Sequence, residues 1–190
     1  MEARLTVGIS GASGASLALS FLKLARKSGV PTELIVTSGG ERTLRDELGL
    51  GPEALSGLVD EVYDCRDIGA APASGSRPSL GMAVVPCSMK TLAGIASGYS
   101  ENLLLRAADV ALKERRRLVL AARETPLSAI HLRNMLELSQ AGAVVFPPVP
   151  LWYAGPKTME QMELQLSARL LSLFGIVTPE LHVWTESGQE

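Results

Sequence analysis

The chain has 190 residues, 46% of them hydrophobic, which suits a single domain with a substantial core and excludes a disulfide-stapled miniprotein. Eighteen Lys and Arg against twenty Asp and Glu leave a formal net charge of -2, so no global basic field points to nucleic acid or an anionic membrane; any anion site must be local. Cys65 and Cys87 form no CxxC pair and His131 and His182 lie far apart, so no metal is expected; the first ten residues lack a signal-peptide pattern and no apolar run reaches the roughly 18 to 20 residues of a bilayer span, which reads as a cytoplasmic protein.

In chain order, β-branched runs occur at Leu5-Thr6-Val7-Gly8-Ile9, Glu33-Leu34-Ile35-Val36-Thr37, Met82-Ala83-Val84-Val85, Leu118-Val119-Leu120 and Ala143-Val144-Val145-Phe146, with Val62-Tyr63 as a further short candidate. Segments with helical spacing lie between them at 17–27, 103–115 and 130–138. Apolar strands alternating with helices predict an α/β domain, a doubly wound, Rossmann-like parallel sheet with helices on both faces. No repeat or charge block divides residues 1–190, which read as one domain with 177–190 as a C-terminal tail. The Pro/Gly/Ser-rich stretch 70–79 reads as a long functional loop, since loops of that length usually bind or cover something.

Ligands of such sheets sit beyond the carboxyl ends of the strands, where chemistry-bearing residues are expected. Gly8-Ile9-Ser10-Gly11-Ala12-Ser13-Gly14 offers small residues and hydroxyls at a strand-to-helix turn, which suits either a phosphate or merely a tight turn; it is neither the GxGxxG fingerprint nor a Walker loop. Pro86-Cys87-Ser88-Met89-Lys90-Thr91 is a second such turn, read either as an ordinary N-cap or as part of the same ligand site. Cys87 has no histidine nearby in sequence and reads as a small buried residue rather than a nucleophile. Arg106, Asp109 and Lys113 share one helical face opposite Leu104, Ala108, Ala111 and Leu112, either as a solvated stripe or aimed at something beyond the chain's own core. Arg123-Glu124-Thr125-Pro126 follows an apolar strand, where charge more often faces a ligand than bulk water. Trp152, Tyr153 and Trp184 fall in the last quarter and suit core, oligomer contact or ligand stacking alike.

Together these segments resemble the flavin prenyltransferase family of the UbiX type. The densest likeness runs from Arg106 through Arg116 and on through Leu118-Val119-Leu120 to Arg123-Glu124-Thr125-Pro126-Leu127; residues 8–15, 86–93, Gly142-Ala143-Val144, Pro147, Pro150, Tyr153 and Arg169 supply the rest. The resemblance implies that dimethylallyl phosphate alkylates reduced FMN at N5 and closes a fourth ring through C6, giving prenylated FMN for a UbiD-type decarboxylase. By position it implies FMN contacts at Gly11, Ala12, Ser13, Thr37, Ser88, Met89, Lys90, Thr91 and Arg123. Glu47, Lys113, Glu124 and Ser13 become the catalytic group, with Arg106, Lys113, Tyr153, Arg169 and Trp184 around the prenyl phosphate. It also implies a dodecamer built from trimers.

Elementary chemistry agrees: Lys113, Arg123 and Arg169 can hold a phosphate monoester by charge-assisted hydrogen bonds without a metal, and Trp184 can face an allylic cation with its π system. Because Arg106 and Lys113 point away from their helix's apolar face, a neighbouring subunit is expected to complete the site. The chain departs from the family pattern at Thr37-Ser38-Gly39-Gly40, where Ser-Lys-Ala-Ala is common, at Ala154-Gly155, which stand for a His-Arg pair, and at Val183, which stands for an arginine. Two other readings are open. One is an FMN-dependent decarboxylase of the cysteine-decarboxylating group, whose early active histidine and Asn-rich segment are missing here; the other is a non-catalytic flavin carrier.

Overall fold

The computed structural model describes residues 2–183. Six strands, β1 (Arg4–Ile9), β2 (Thr32–Val36), β3 (Glu61–Tyr63), β4 (Ser79–Cys87), β5 (Leu118–Ala122) and β6 (Val144–Val145), form one sheet in the order β3-β2-β1-β4-β5-β6. Every pairing is parallel. The helices are α1 (Ala15–Lys27), α2 (Ser38–Leu48), α3 (Met89–Ala96), α4 (Leu103–Lys113), α5 (Ala129–Gln140) and α6 (Met159–Ser172). The expected doubly wound architecture is present, and the short run at Val62-Tyr63 is a strand.

Alternation along the strands sends successive side chains to two cores. Val7, Ile9, Val36, Ala83 and Val119 meet Leu17, Phe21, Leu166 and Leu170 of α1 and α6. Ile35, Met82, Val84 and Leu120 meet Leu92, Leu104, Ala108 and Leu138 of α3, α4 and α5. The chain thus reverses direction across the sheet between β1 and β4, and in open α/β sheets ligands bind in the crevice beyond the carboxyl ends at that switch.

Residues 70–79 are not at that edge. They lead into β4, so they cover the amino ends of the strands, where Arg116 Nη2 donates to the carbonyls of Gly75 and Arg77 at 2.5 and 2.7 Å. The Arg77 guanidinium enters the core and pairs with Glu33 at 2.5 Å; their side chains are 11% and 3% exposed, and Glu33 also accepts from Thr6 Oγ1 at 2.7 Å. Removing one partner of a buried pair strands the other charge, which typically costs about 3–5 kcal/mol. Arg77→Ala is therefore expected to lower unfolding stability by about that amount, read by denaturant melts at fixed protein concentration; a change within noise would make the pair ornamental.

Candidate active site

Four loops line the carboxyl edge in the order of their strands. Ser10, fully buried at the exit of β1, locks the two central ones: its Oγ donates to Pro86 O at 3.0 Å and accepts from Ser88 N at 2.8 Å. The β2 exit is held to the same turn by Thr37 N donating to Ile9 O at 3.0 Å. A Cβ on Gly11 would lie 3.0 Å from Gly39 Cα, and one on Gly40 only 2.5 Å from Ile9 O. The glycines of the departing Thr37-Ser38-Gly39-Gly40 segment therefore let the start of α2 lie directly on the first loop. The β5 exit joins through Arg123 N donating to Cys87 O at 3.1 Å. Of the expected flavin contacts, Gly11, Ala12, Ser13, Thr37, Ser88, Met89, Lys90, Thr91 and Arg123 all lie on this row of loops.

The start of α1 is already occupied by an anion. Glu47, from the last turn of α2, accepts from Gly14 N at 2.9 Å and Ala15 N at 2.8 Å. Burial alone would raise its pKa, but the Ser13 hydroxyl, the Ala15 and Gly14 amides and the nearby Arg123 charge outweigh it and hold it below its ordinary 4.5. A depressed carboxylate stabilises the fold above its ordinary pKa, and this contribution is lost as pH falls through the lowered value. The amides of Gly14 and Ala15 at the start of α1 therefore serve Glu47, which lies 33 residues from Gly14 in sequence with no local signal to announce it.

The start of α3 suits an anion. Ser88 caps α3, accepting from Thr91 N at 3.2 Å. Beside it Arg123 is half-buried, and its Nε is buried with no hydrogen-bond partner among the described residues. A buried donor of a permanent cation at a helix N-terminus fits a phosphate. Cys87 behind it is wholly buried, which pushes its thiol up to about 12 and removes it as a nucleophile near neutrality. Glu124 projects to solvent, with Oε1 accepting only from the adjacent Thr125 N at 3.1 Å. No cluster of metal-ligating side chains exists among the described residues.

The rest of the expected prenyl-phosphate group is dispersed. Arg106 lies in the first turn of α4 and pairs with Asp109 at 2.6 Å, on the face opposite the buried Leu104, Ala108 and Ala111. Lys113, about 10 Å further along the helix axis, lies at the amino edge of the sheet, 2.5 Å from Glu114. Arg169 is exposed on α6, across the sheet from α4, with Nη1 donating to Ser172 Oγ at 2.8 Å. Tyr153 is 45% exposed and lies 5.8 Å, centroid to centroid, from His182, whose backbone N donates to Gln165 of α6 at 3.0 Å. Trp184 lies outside the described residues. Within one chain, then, Ser13, Glu47, Arg123 and Glu124 share the carboxyl edge, Arg106 and Lys113 follow α4, and Tyr153 and Arg169 follow α6.

Comparison with known proteins places this layout. A family model described as Flavoprotein matches residues 1–165. The chain is 48% identical over 184 residues to the flavin prenyltransferase UbiX of Neisseria meningitidis serogroup B, covering 97% of each protein. Its backbone follows AnUbiX (PadA1), solved in complex with FMN and dimethylallyl pyrophosphate, with a TM-score of 0.94 and 46% identity over 97% of this chain and 98% of that one. A dodecameric FMN-dependent UbiX-like decarboxylase from Escherichia coli O157:H7 gives a TM-score of 0.92 at 42% identity, over 96% and 99% of the two chains. With near-complete coverage in both directions, this chain belongs to the UbiX-type flavin prenyltransferase family.

Proposed function

We propose that the chain joins the dimethylallyl group of dimethylallyl phosphate to N5 and C6 of reduced FMN, supplying prenylated FMN to a UbiD-type decarboxylase in the cytoplasm. The observation that carries this reading is the carboxyl edge at the β1/β4 switch, where an unpartnered buried Arg123 donor and the α3 start fit the flavin phosphate and a carboxylate pair, Glu47 and Glu124, flanks the same loops. Reduced FMN, when bound, supplies the nucleophilic ring nitrogen. The chain's own residues do the remainder. Ser88 through Thr91 and Arg123 bind the phosphate, and residues 11–13 with Thr37 shape the floor beneath the ring. Glu47 fixes Ser13 by accepting its hydroxyl proton in a hydrogen bond, and Glu124 exchanges a proton with the reacting centre through a carboxylate oxygen.

Lys113, Arg106, Tyr153 and Arg169 hold the prenyl phosphate. Lys113 lies on the α4 side of the sheet and Arg169 on the α6 side, so one site containing both draws on different subunits, and a dodecamer built from trimers meets that need. The decarboxylase and carrier readings are disfavoured: the chain's two histidines, His131 and His182, lie far from the first loop in sequence, and a pure carrier has no use for Lys113, Glu124, Tyr153 and Arg169.

Mass spectrometry of the flavin after anaerobic incubation with reduced FMN and dimethylallyl phosphate, or the pyrophosphate in a parallel arm, decides the reaction. An added C5H8 unit is expected, and unmodified flavin in both arms would overturn it. The floor beneath the ring has its own test. Ser13→Glu sets a second carboxylate against Glu47, and FMN affinity is expected to fall by about tenfold or more by like-charge repulsion, read by flavin fluorescence titration. Unchanged affinity would remove residues 11–13 from the flavin contacts.

A further inference from the structure

The loop 70–79, which the flavin edge leaves without a role, lies against Lys113 in the last turn of α4. A Cβ built on Gly75 would overlap the Glu114 carboxylate and lie 2.8 Å from Lys113 Nζ. Lys113 Nζ and Glu114 Oε1 are themselves 2.5 Å apart, with side chains 47% and 36% exposed. Arg116 anchors the loop by donating to Gly75 O at 2.5 Å and Arg77 O at 2.7 Å, and Arg77 is in turn held in the core by Glu33. The backbone at Gly75 is thus fixed from behind, while its bare α-carbon forms the wall on which the Lys113–Glu114 pair rests. Without that anchoring, a long lysine at a helix C-terminus sweeps a wide arc, which costs affinity when one orientation is required.

We propose that Gly75 and Glu114 are positioning residues that fix the Lys113 ammonium for the prenyl phosphate. The inference rests on the reading of Lys113 given above and adds residues to which that reading assigns no role. Glu114 holds the ammonium in one orientation until the more highly charged phosphate monoester displaces or shares it. Gly75 leaves the space in which the pair lies. The atoms that a Gly75 Cβ would meet all belong to the ends of two flexible side chains, Glu114 and Lys113, so Gly75→Ala is cheap for the fold and falls on the position of the pair.

The experiment uses the full assembled enzyme. Gly75→Ala and Glu114→Gln are each expected to raise KM for dimethylallyl phosphate about tenfold, with a smaller fall in kcat, because misplacement of a binding group acts first on substrate affinity. FMN affinity, oligomer size and melting temperature are expected to stay at the parental values, and Glu114→Asp should recover part of the KM change. Lys113→Ala is the separate control on the parent reading: if it leaves KM and kcat untouched, Lys113 is not a phosphate ligand and both readings fall together. If Lys113→Ala abolishes turnover while Gly75→Ala and Glu114→Gln both keep the parental KM, the positioning inference alone is overturned. Should Gly75→Ala lower the melting temperature, the Glu114→Gln and Glu114→Asp pair decides it.

Discussion

Mixed assemblies of Lys113→Ala and Arg169→Ala subunits are expected to recover about a quarter of the parental turnover, although each variant alone is inactive, because closed assemblies bring different chains to one site. The quantity follows from the fold. The two residues lie on opposite faces of the sheet, Lys113 at the end of α4 over one core and Arg169 on α6 over the other. A site that needs both takes each from a separate chain, and random mixing of equal amounts leaves both intact in about one site in four. If one chain supplied both, every site would contain one defect and the mixture would be dead. The exposed apolar groups agree with assembly. Trp152 is 76% exposed, Val149 60% and Met159 61%, and large apolar side chains left this exposed on a single chain suit a contact surface. The measurement is initial rates after co-refolding or co-expression of the two variants, with size-exclusion chromatography establishing that mixed oligomers form. Failure to recover any activity in verified mixed oligomers would return the site to one chain.

Much of the carboxyl edge is legible in the sequence because strand and loop are adjacent there: each apolar run is followed within a few residues by the turn it delivers. Ser88 reads as a helix cap and is one, and the spacing of Arg106, Asp109 and Lys113 reads as a single outward face and forms one. The role of Glu47 is not legible. It lies in α2, where only Gly40 and Leu44 are buried, so the segment has little apolar periodicity, and its partners at Gly14 and Ala15 are brought to it only by the tertiary fold. Ser10 is similar: nothing local distinguishes it from Ser13, yet it is the one buried between the two central loops. The stretch 70–79 is rich in turn residues and reads as a long functional loop. The edge it lies on is set by its position in the chain, since a segment that precedes a strand of a parallel sheet arrives at the amino edge.

Glu124→Gln is expected to keep the fold and FMN affinity and to slow alkylation by about 100-fold or more, the usual scale of general acid–base participation. The side chain lies at the exit of β5, one residue beyond Arg123, whose backbone is fixed to Cys87 O at 3.1 Å. Its carboxylate is exposed in the single chain and accepts a hydrogen bond only from its neighbour Thr125 N, so it is oriented by the backbone and committed to no other side chain. Glu47 does not have that freedom. Two amides and the Ser13 hydroxyl stabilise its ionised form and hold its pKa below the ordinary value, which makes it a poor proton donor near neutrality. Of the two carboxylates on this edge, Glu47 is tied to the amides of the first loop, and Glu124 is held only by the amide of its neighbour. The amide of glutamine preserves the shape and the hydrogen bond to Thr125 while removing the exchangeable proton, so binding and chemistry separate cleanly. Single-turnover flavin spectra read the alkylation rate, and equilibrium titration reads FMN affinity on the same sample. A rate near the parental value would reduce Glu124 to a structural role and pass the proton to another group.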